Sequence, residues 1–229
     1  MDASDKLEEI FRHFPGIGPR QAKRFVYHLL TKNQSELADL AKHLLELKES
    51  IAVCPSCFRF FPLRQFKPDP ATLCSICKDQ NRDQSKLMVV ARDIDLQAIE
   101  KSRAYDGLYF VLGGTVPILD PNPEARIRQR ELLSKIVSSD ALSSILADDA
   151  LTSVEETSAN AKFAEIILAT SVNPEGEYTA TYLTSLIRKQ FEGKPSLPRI
   201  TTLGRGLSTG TELEYSDADT LRSALENRR

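Results

Sequence analysis

Two cysteine pairs constrain this chain more than any other feature. Cys54-Pro-Ser-Cys57 is followed, sixteen residues later, by Cys74-Ser-Ile-Cys77, and the sequence has 4 cysteines in all. A two-residue gap lets both thiolates of a knuckle reach one metal ion, and two knuckles complete the tetrahedron that structural zinc adopts. All four positions are then filled by protein, with none left for a catalytic water. The spacing therefore points to one structural Zn2+ per chain, held by Cys54, Cys57, Cys74 and Cys77. The competing reading is two disulfides, or four unrelated thiols. Against it stands a polar, acidic N-terminus, Met-Asp-Ala-Ser-Asp-Lys, which is not an export signal. The segment between the pairs carries Phe58, Phe60, Phe61, Leu63 and Phe66 but is too short for a core of its own. Metal binding would supply the missing folding free energy.

Composition bounds the rest. With 229 residues, 41% hydrophobic and 27% charged, the chain reads as an ordinary globular protein of one large or two small domains. No apolar run approaches the roughly 20 residues of a membrane span, so a cytoplasmic location and no membrane partner are expected. The formal net charge is -2, so any nucleic-acid role must rest on a local patch.

Such a patch stands near the N-terminus. Leu7, Ile10, Phe11 and Phe14 have helical spacing, as do Ala22, Phe25, Val26, Leu29 and Leu30, and again Leu37, Leu40, Ala41, Leu44 and Leu45. Asn33 and Glu36 are placed to cap the third helix reciprocally. Between the first two lies Pro15-Gly16-Ile17-Gly18-Pro19. Gly16 and Gly18 permit positive φ and remove side chains that would hold a ligand off the backbone. Pro19 suits the first turn of the next helix, whose N–H groups and dipole favour a phosphate. Arg20, Lys23, Arg24 and Lys32 follow, with no acidic residue from Arg20 to Lys32. The apolar stripe lies opposite, so these cations face outward. The pattern resembles a helix-hairpin-helix, which holds DNA by its backbone. The alternative is a plain turn with a solvated basic face.

From Leu87 the texture changes to strands alternating with helices. Strands are predicted at 87–91, 108–112, 165–170 and 199–203, and helices at 93–103, 124–137 and 177–191. That alternation indicates a parallel sheet with right-handed crossovers. Residues 138–164, rich in Ser, Ala, Asp and Glu with Lys162 as their one cation, read as an acidic insertion. After the third strand, Ser171-Val-Asn-Pro-Glu175-Gly-Glu177 sets two carboxylates at a strand end. They suit either a shared Mg2+ or the start of the next helix.

Together these motifs resemble the RecR family of recombination mediator proteins. The likeness is carried by the hairpin at 15–19, the four cysteines, Gly107-Leu-Tyr-Phe-Val-Leu-Gly-Gly114, and the loop at 169–177 with Thr179-Ala180. It continues in a tail of Gly206-Leu-Ser-Thr-Gly210 and 213–225. The resemblance implies an α+β chain of four parts. These are a helix-hairpin-helix at 1–52, a four-cysteine zinc finger at 53–85, an α/β Toprim domain with a parallel sheet at 86–198 and a Walker-B-like C-terminal segment at 199–229. It implies a non-enzymatic DNA clamp, a dimer or tetramer ring, that acts with RecO and RecF to load RecA on single-stranded gaps. DNA contact then falls on Gly16, Gly18, Arg20, Lys23 and Arg24, and RecO contact on Glu175 and Glu177. The sequence departs from Toprim enzymes at one telling place. Where they carry a glutamate after the first strand, this chain has Ala91 and Arg92. The alternative, a Mg2+-dependent nuclease or primase, would need Glu175 and Glu177 with Asp93 or Asp95 as ligands.

Overall fold

The structure, a computed structural model, describes residues 2–63, 72–137 and 161–204, with 218 and 220–222 of the tail. The expectations for Phe66, for all of the acidic insertion up to residue 160, and for the tail motifs lie outside the described residues. The chain divides into two compact units. One holds the helices up to Ala52 and resumes at Pro62; the other holds Val53–Phe61 and the α/β body.

The first unit is built from three helices, α1 (Ala3–Arg12), α2 (Pro19–Leu30) and α3 (Gln34–Ser50). The Asp2 carboxylate caps α1 by accepting the Asp5 N–H at 2.9 Å. The reciprocal cap expected for α3 is present: Asn33 accepts the Glu36 N–H at 2.9 Å, and Glu36 accepts the Asn33 N–H at 3.1 Å. Phe11 of α1 meets Phe25 of α2 edge-on, ring centroids 5.7 Å apart. Little else in these helices is shielded. Among their described residues only Ala22 and Val26 are buried, whereas Leu30 and Leu45 are 69% and 74% exposed. The helical periodicity was legible, but it marks a stripe that one copy of the chain leaves open.

The second unit contains a parallel sheet in the order β4-β3-β5-β6. The strands are β3 (Asp83–Val90), β4 (Gly107–Val111), β5 (Glu165–Ala169) and β6 (Arg199–Thr202). Successive strand residues point to opposite faces, and β3 sorts them cleanly. Leu87 and Val89 join one core with Phe110, Leu132, Ile136, Leu183 and Ile187. Met88 and Val90 join the other with Leu96, Tyr109, Val111 and three of the cysteines. Burial on both faces explains why the strands read as continuous apolar runs. The helices α6 (Gln129–Ile136) and α7 (Pro174–Gln190) supply the first core, and α5 (Asp93–Ser102) the second.

Two helix expectations are corrected. The helix expected at 124–137 is a short 3-10 turn, Pro123–Ala125, followed by α6. The break falls where the Arg128 N–H donates to the Leu112 carbonyl at 3.0 Å, a bond across to the strand end that helix continuation would forbid. The helix expected from Glu177 starts at Pro174, because the Asn173 side chain caps it by accepting the Gly176 N–H at 2.8 Å.

Candidate metal centre and nucleic-acid hairpin

The cysteine pairs are brought together by two small turns. A short ribbon, β1 (Ile51–Val53) with β2 (Phe60–Pro62), leads into and out of the first pair. The Phe58 N–H closes that turn on the Cys54 carbonyl at 2.9 Å, and the Cys54 N–H donates to the Arg59 carbonyl at 2.9 Å. Phe58 takes φ 60, the left-handed geometry that the tight turn demands. The second pair opens the single-turn helix α4 (Ser75–Lys78), with Cys74 as its N-cap.

All four sulfur atoms lie within 4.8 Å of one another. Cys57 Sγ and Cys74 Sγ are 3.6 Å apart, too far for a disulfide. A tetrahedron with Zn–S bonds of about 2.3 Å has edges of about 3.8 Å, so the spacing fits. All four cysteines are unbridged, three of them buried. Thiol contacts from Cys57, then Cys74 and Cys77, hold the Cys54 thiol far below its ordinary range. Contact with Cys54 pushes Cys57 and Cys77 upward. Four sulfurs at near-tetrahedral spacing are suited to sharing a cation. The group can hold a metal ion.

The first knuckle is seated on the α/β sheet. The Val111 N–H of β4 donates to the Cys57 carbonyl at 2.9 Å. Phe58 stacks edge-on against Phe110, centroids 5.4 Å apart, and the Arg128 guanidinium lies 5.5 Å from the centre of the Phe58 ring. Lys135 of α6 donates through Nζ to the Ser56 carbonyl at 2.9 Å and to Ser56 Oγ at 2.7 Å. Burial lowers the Lys135 pKa, while Cys77 and Cys57 act in the opposite sense. Sequence reasoning missed Ser56, Phe58, Arg128 and Lys135 as partners, because only the fold brings residues this distant in sequence together.

At the hairpin, Gly16 has φ +76, and a Cβ built at Gly16 or Gly18 would meet nothing within 4 Å. Gly16 is thus required for its backbone angle, and both positions keep the turn's outer surface low. Gly18 is the N-cap of α2 with no side-chain cap, Pro19 sits in its first turn, and no acidic residue stands there. By contrast α1, α3 and α7 each carry a side-chain cap. Pro19 has no N–H and the Ala22 N–H is taken by the Gly18 carbonyl at 3.0 Å, so the Arg20 and Gln21 N–H groups are left without an acceptor within the helix. Arg20, Lys23 and Arg24 are exposed, and no ion pair among the described residues engages them. Lys32, the last of the basic run, pairs with Glu36 at 2.9 Å.

Glu175 and Glu177 fall in the first turn of α7, both exposed. The Thr115 hydroxyl donates to Glu175 Oε2 at 3.1 Å. Beneath them the buried Thr179 hydroxyl accepts the Val116 N–H at 2.9 Å and donates to the Glu175 carbonyl at 2.6 Å. The nearby aspartates are committed elsewhere. Asp93 Oδ1 accepts the Phe60 N–H at 2.7 Å, and Asp95 Oδ2 the Arg92 N–H at 2.9 Å. Among the described residues, only the four cysteines form a group of three or more metal-ligating side chains. Glu175 and Glu177 are therefore not completed into a two-metal carboxylate set by the described residues. No helix among the described residues is long and apolar enough to cross a membrane.

Comparison with known proteins covers nearly the whole chain. Residues 4–48 match the family model "RecR, helix-hairpin-helix", 85–195 the Toprim domain, and 206–229 "RecR, C-terminal". A recombination protein RecR of Acidothermus cellulolyticus is 37% identical over 225 residues, covering 98% of this chain and 94% of the relative. One from Streptomyces coelicolor is 36% identical with the same coverage. One from Chloroflexus aurantiacus is 35% identical over 224 residues, covering 98% of this chain and 92% of the relative.

Proposed function

Since the chain belongs to the RecR family of recombination proteins, we propose that it serves recombinational DNA repair as a non-enzymatic clamp that encircles DNA. The observation that carries this is the uncapped, acid-free start of α2 at the Gly16–Gly18 turn, followed by exposed Arg20, Lys23 and Arg24. Such a surface binds phosphates irrespective of base sequence, and weakly per copy. Assembly of several copies multiplies the contacts through effective concentration. The open apolar stripe of α1–α3 supports a homo-oligomer, dimer or tetramer, closed through these helices. The four cysteines bind one structural Zn2+, which braces the knuckle against the sheet. Glu175 and Glu177 form an acidic surface for RecO, and the clamp acts with RecO and RecF in RecA loading on single-stranded gaps in the cytoplasm. The absence of an acidic residue at Ala91 and Arg92, and the commitment of Asp93 and Asp95 to backbone N–H groups, argue for a role without catalysis.

The test is a double charge reversal, Lys23→Glu with Arg24→Glu. It abolishes DNA binding in fluorescence anisotropy while oligomer mass and zinc content stay at wild-type values. Wild-type affinity in this variant would rule the hairpin patch out.

A further inference from the structure

A zinc ion held by four thiolates carries a net charge of about -2, and three of the four thiols here are buried. Burying such a charge is unfavourable unless donors or cations compensate it. The Cys74 N–H lies 3.5 Å from Cys54 Sγ and offers one such donor. A cation from a different element reaches the same turn. Lys135 Nζ reaches from α6 to the turn between the first two cysteines and makes two hydrogen bonds there, both to Ser56, 79 residues away in sequence. A lysine that merely covered the surface would keep its ammonium in water. This one donates to a backbone carbonyl inside the Cys-x-x-Cys turn, and α6 presents it from the segment whose Leu132 and Ile136 are wholly buried in the sheet's core. The ammonium is thus held in place by packing at one end and by the knuckle at the other.

We propose that Lys135 is an outer-sphere partner of the metal centre: its charge and its two hydrogen bonds to Ser56 hold the first knuckle in the geometry that retains zinc. Metal retention and the seating of α6 are then one event. The inference rests on the reading of the four cysteines as a zinc site. It differs from a purely packing role, because removing a charge beside a metal-thiolate centre changes the centre's own affinity and spectrum. Outer-shell partners of metal ligands commonly matter to metal affinity by about 10- to 100-fold.

The experiment uses the full chain. Zinc release to a chromophoric chelator is timed well below the unfolding temperature, and the thiolate-to-metal charge-transfer band is recorded after cobalt substitution. Lys135→Met speeds release about 10-fold or more and shifts the band. Lys135→Arg, which keeps the charge, restores most of the retention. Lys135→Gln keeps a donor for Ser56 without the charge, and Ser56→Ala removes one acceptor; each falls between. Wild-type release and an unchanged band in both Lys135→Met and Lys135→Gln overturn the proposal, and if Lys135→Met does not fold, Lys135→Gln and Ser56→Ala decide it alone. Wild-type protein that purifies without zinc and takes up no cobalt overturns the metal reading itself, and this inference with it.

Discussion

At the scale of single residues, the loop after β5 shows how tightly one turn can be specified. A Cβ on Gly176 would lie 2.0 Å from the Ser171 carbonyl oxygen, so any other residue there forces the backbone apart. Thr179 ties the same turn to Val116 through its hydroxyl. Thr179→Val keeps the shape but leaves the Val116 N–H buried without a partner, and should cost about 1–3 kcal/mol in denaturant unfolding. Sequence reasoning weighed the acidic residues of this loop but not the threonine beneath them, since a hydroxyl's burial depends on contacts across the fold. Asp83 gives a second residue-scale test. The Lys86 ammonium, 2.8 Å away, and Ser85 hold its carboxyl at about 2, below the ordinary 3.8. The pKa is depressed in the folded state, so the pair's contribution is complete above about pH 4 and is lost as pH falls toward 2. An NMR titration should find this carboxyl titrating below the ordinary value, and Lys86→Ala should move it back toward that value.

At the scale of elements, the strands and the three N-terminal helices were legible because their patterns are local. Apolar runs bounded by Gly113-Gly114, or the Asn33 and Glu36 pair, carry their own instructions. The interruption at Arg128 was not legible, because the carbonyl that takes its N–H belongs to Leu112, just past the end of β4 and distant in sequence. The same holds for the cysteine knuckle. Its four clustered cysteines could be read from spacing alone, but its attachment to β4 through Phe58 and Val111 could not. That attachment is testable. Phe58→Ala removes a half-buried ring that contacts both Phe110 and Arg128, and should destabilise the α/β unit by roughly 2 kcal/mol, measured by thermal unfolding with zinc bound.

At the scale of the whole molecule, the N-terminal helices carry much of the exposed apolar surface. Ile10, Leu30, Leu44 and Leu45 are each more than half exposed in one copy, an arrangement that assembly would relieve. Light scattering should return a mass that is a multiple of the single chain's, and DNA affinity of the assembly should fall steeply as salt rises. Incubation with Mg2+ and labelled polynucleotide should leave the substrate intact, and Glu175→Gln should change nothing in that assay. Which apolar residues share a face was legible in the sequence; what covers that face was not. Helical spacing reveals which residues share a face, but not whether the chain's own helices suffice to cover it.

The bond from the Val111 N–H to the Cys57 carbonyl has one more consequence. β4 is an outermost strand of the sheet, and all five of its residues are buried. The knuckle occupies one outward N–H of an edge strand, and the Arg128 guanidinium takes the Val111 carbonyl beside it at 3.0 Å. On the zinc reading, stripping the metal should do more than loosen a small loop: it should free that N–H and raise turbidity, as strands of neighbouring chains add to the exposed edge.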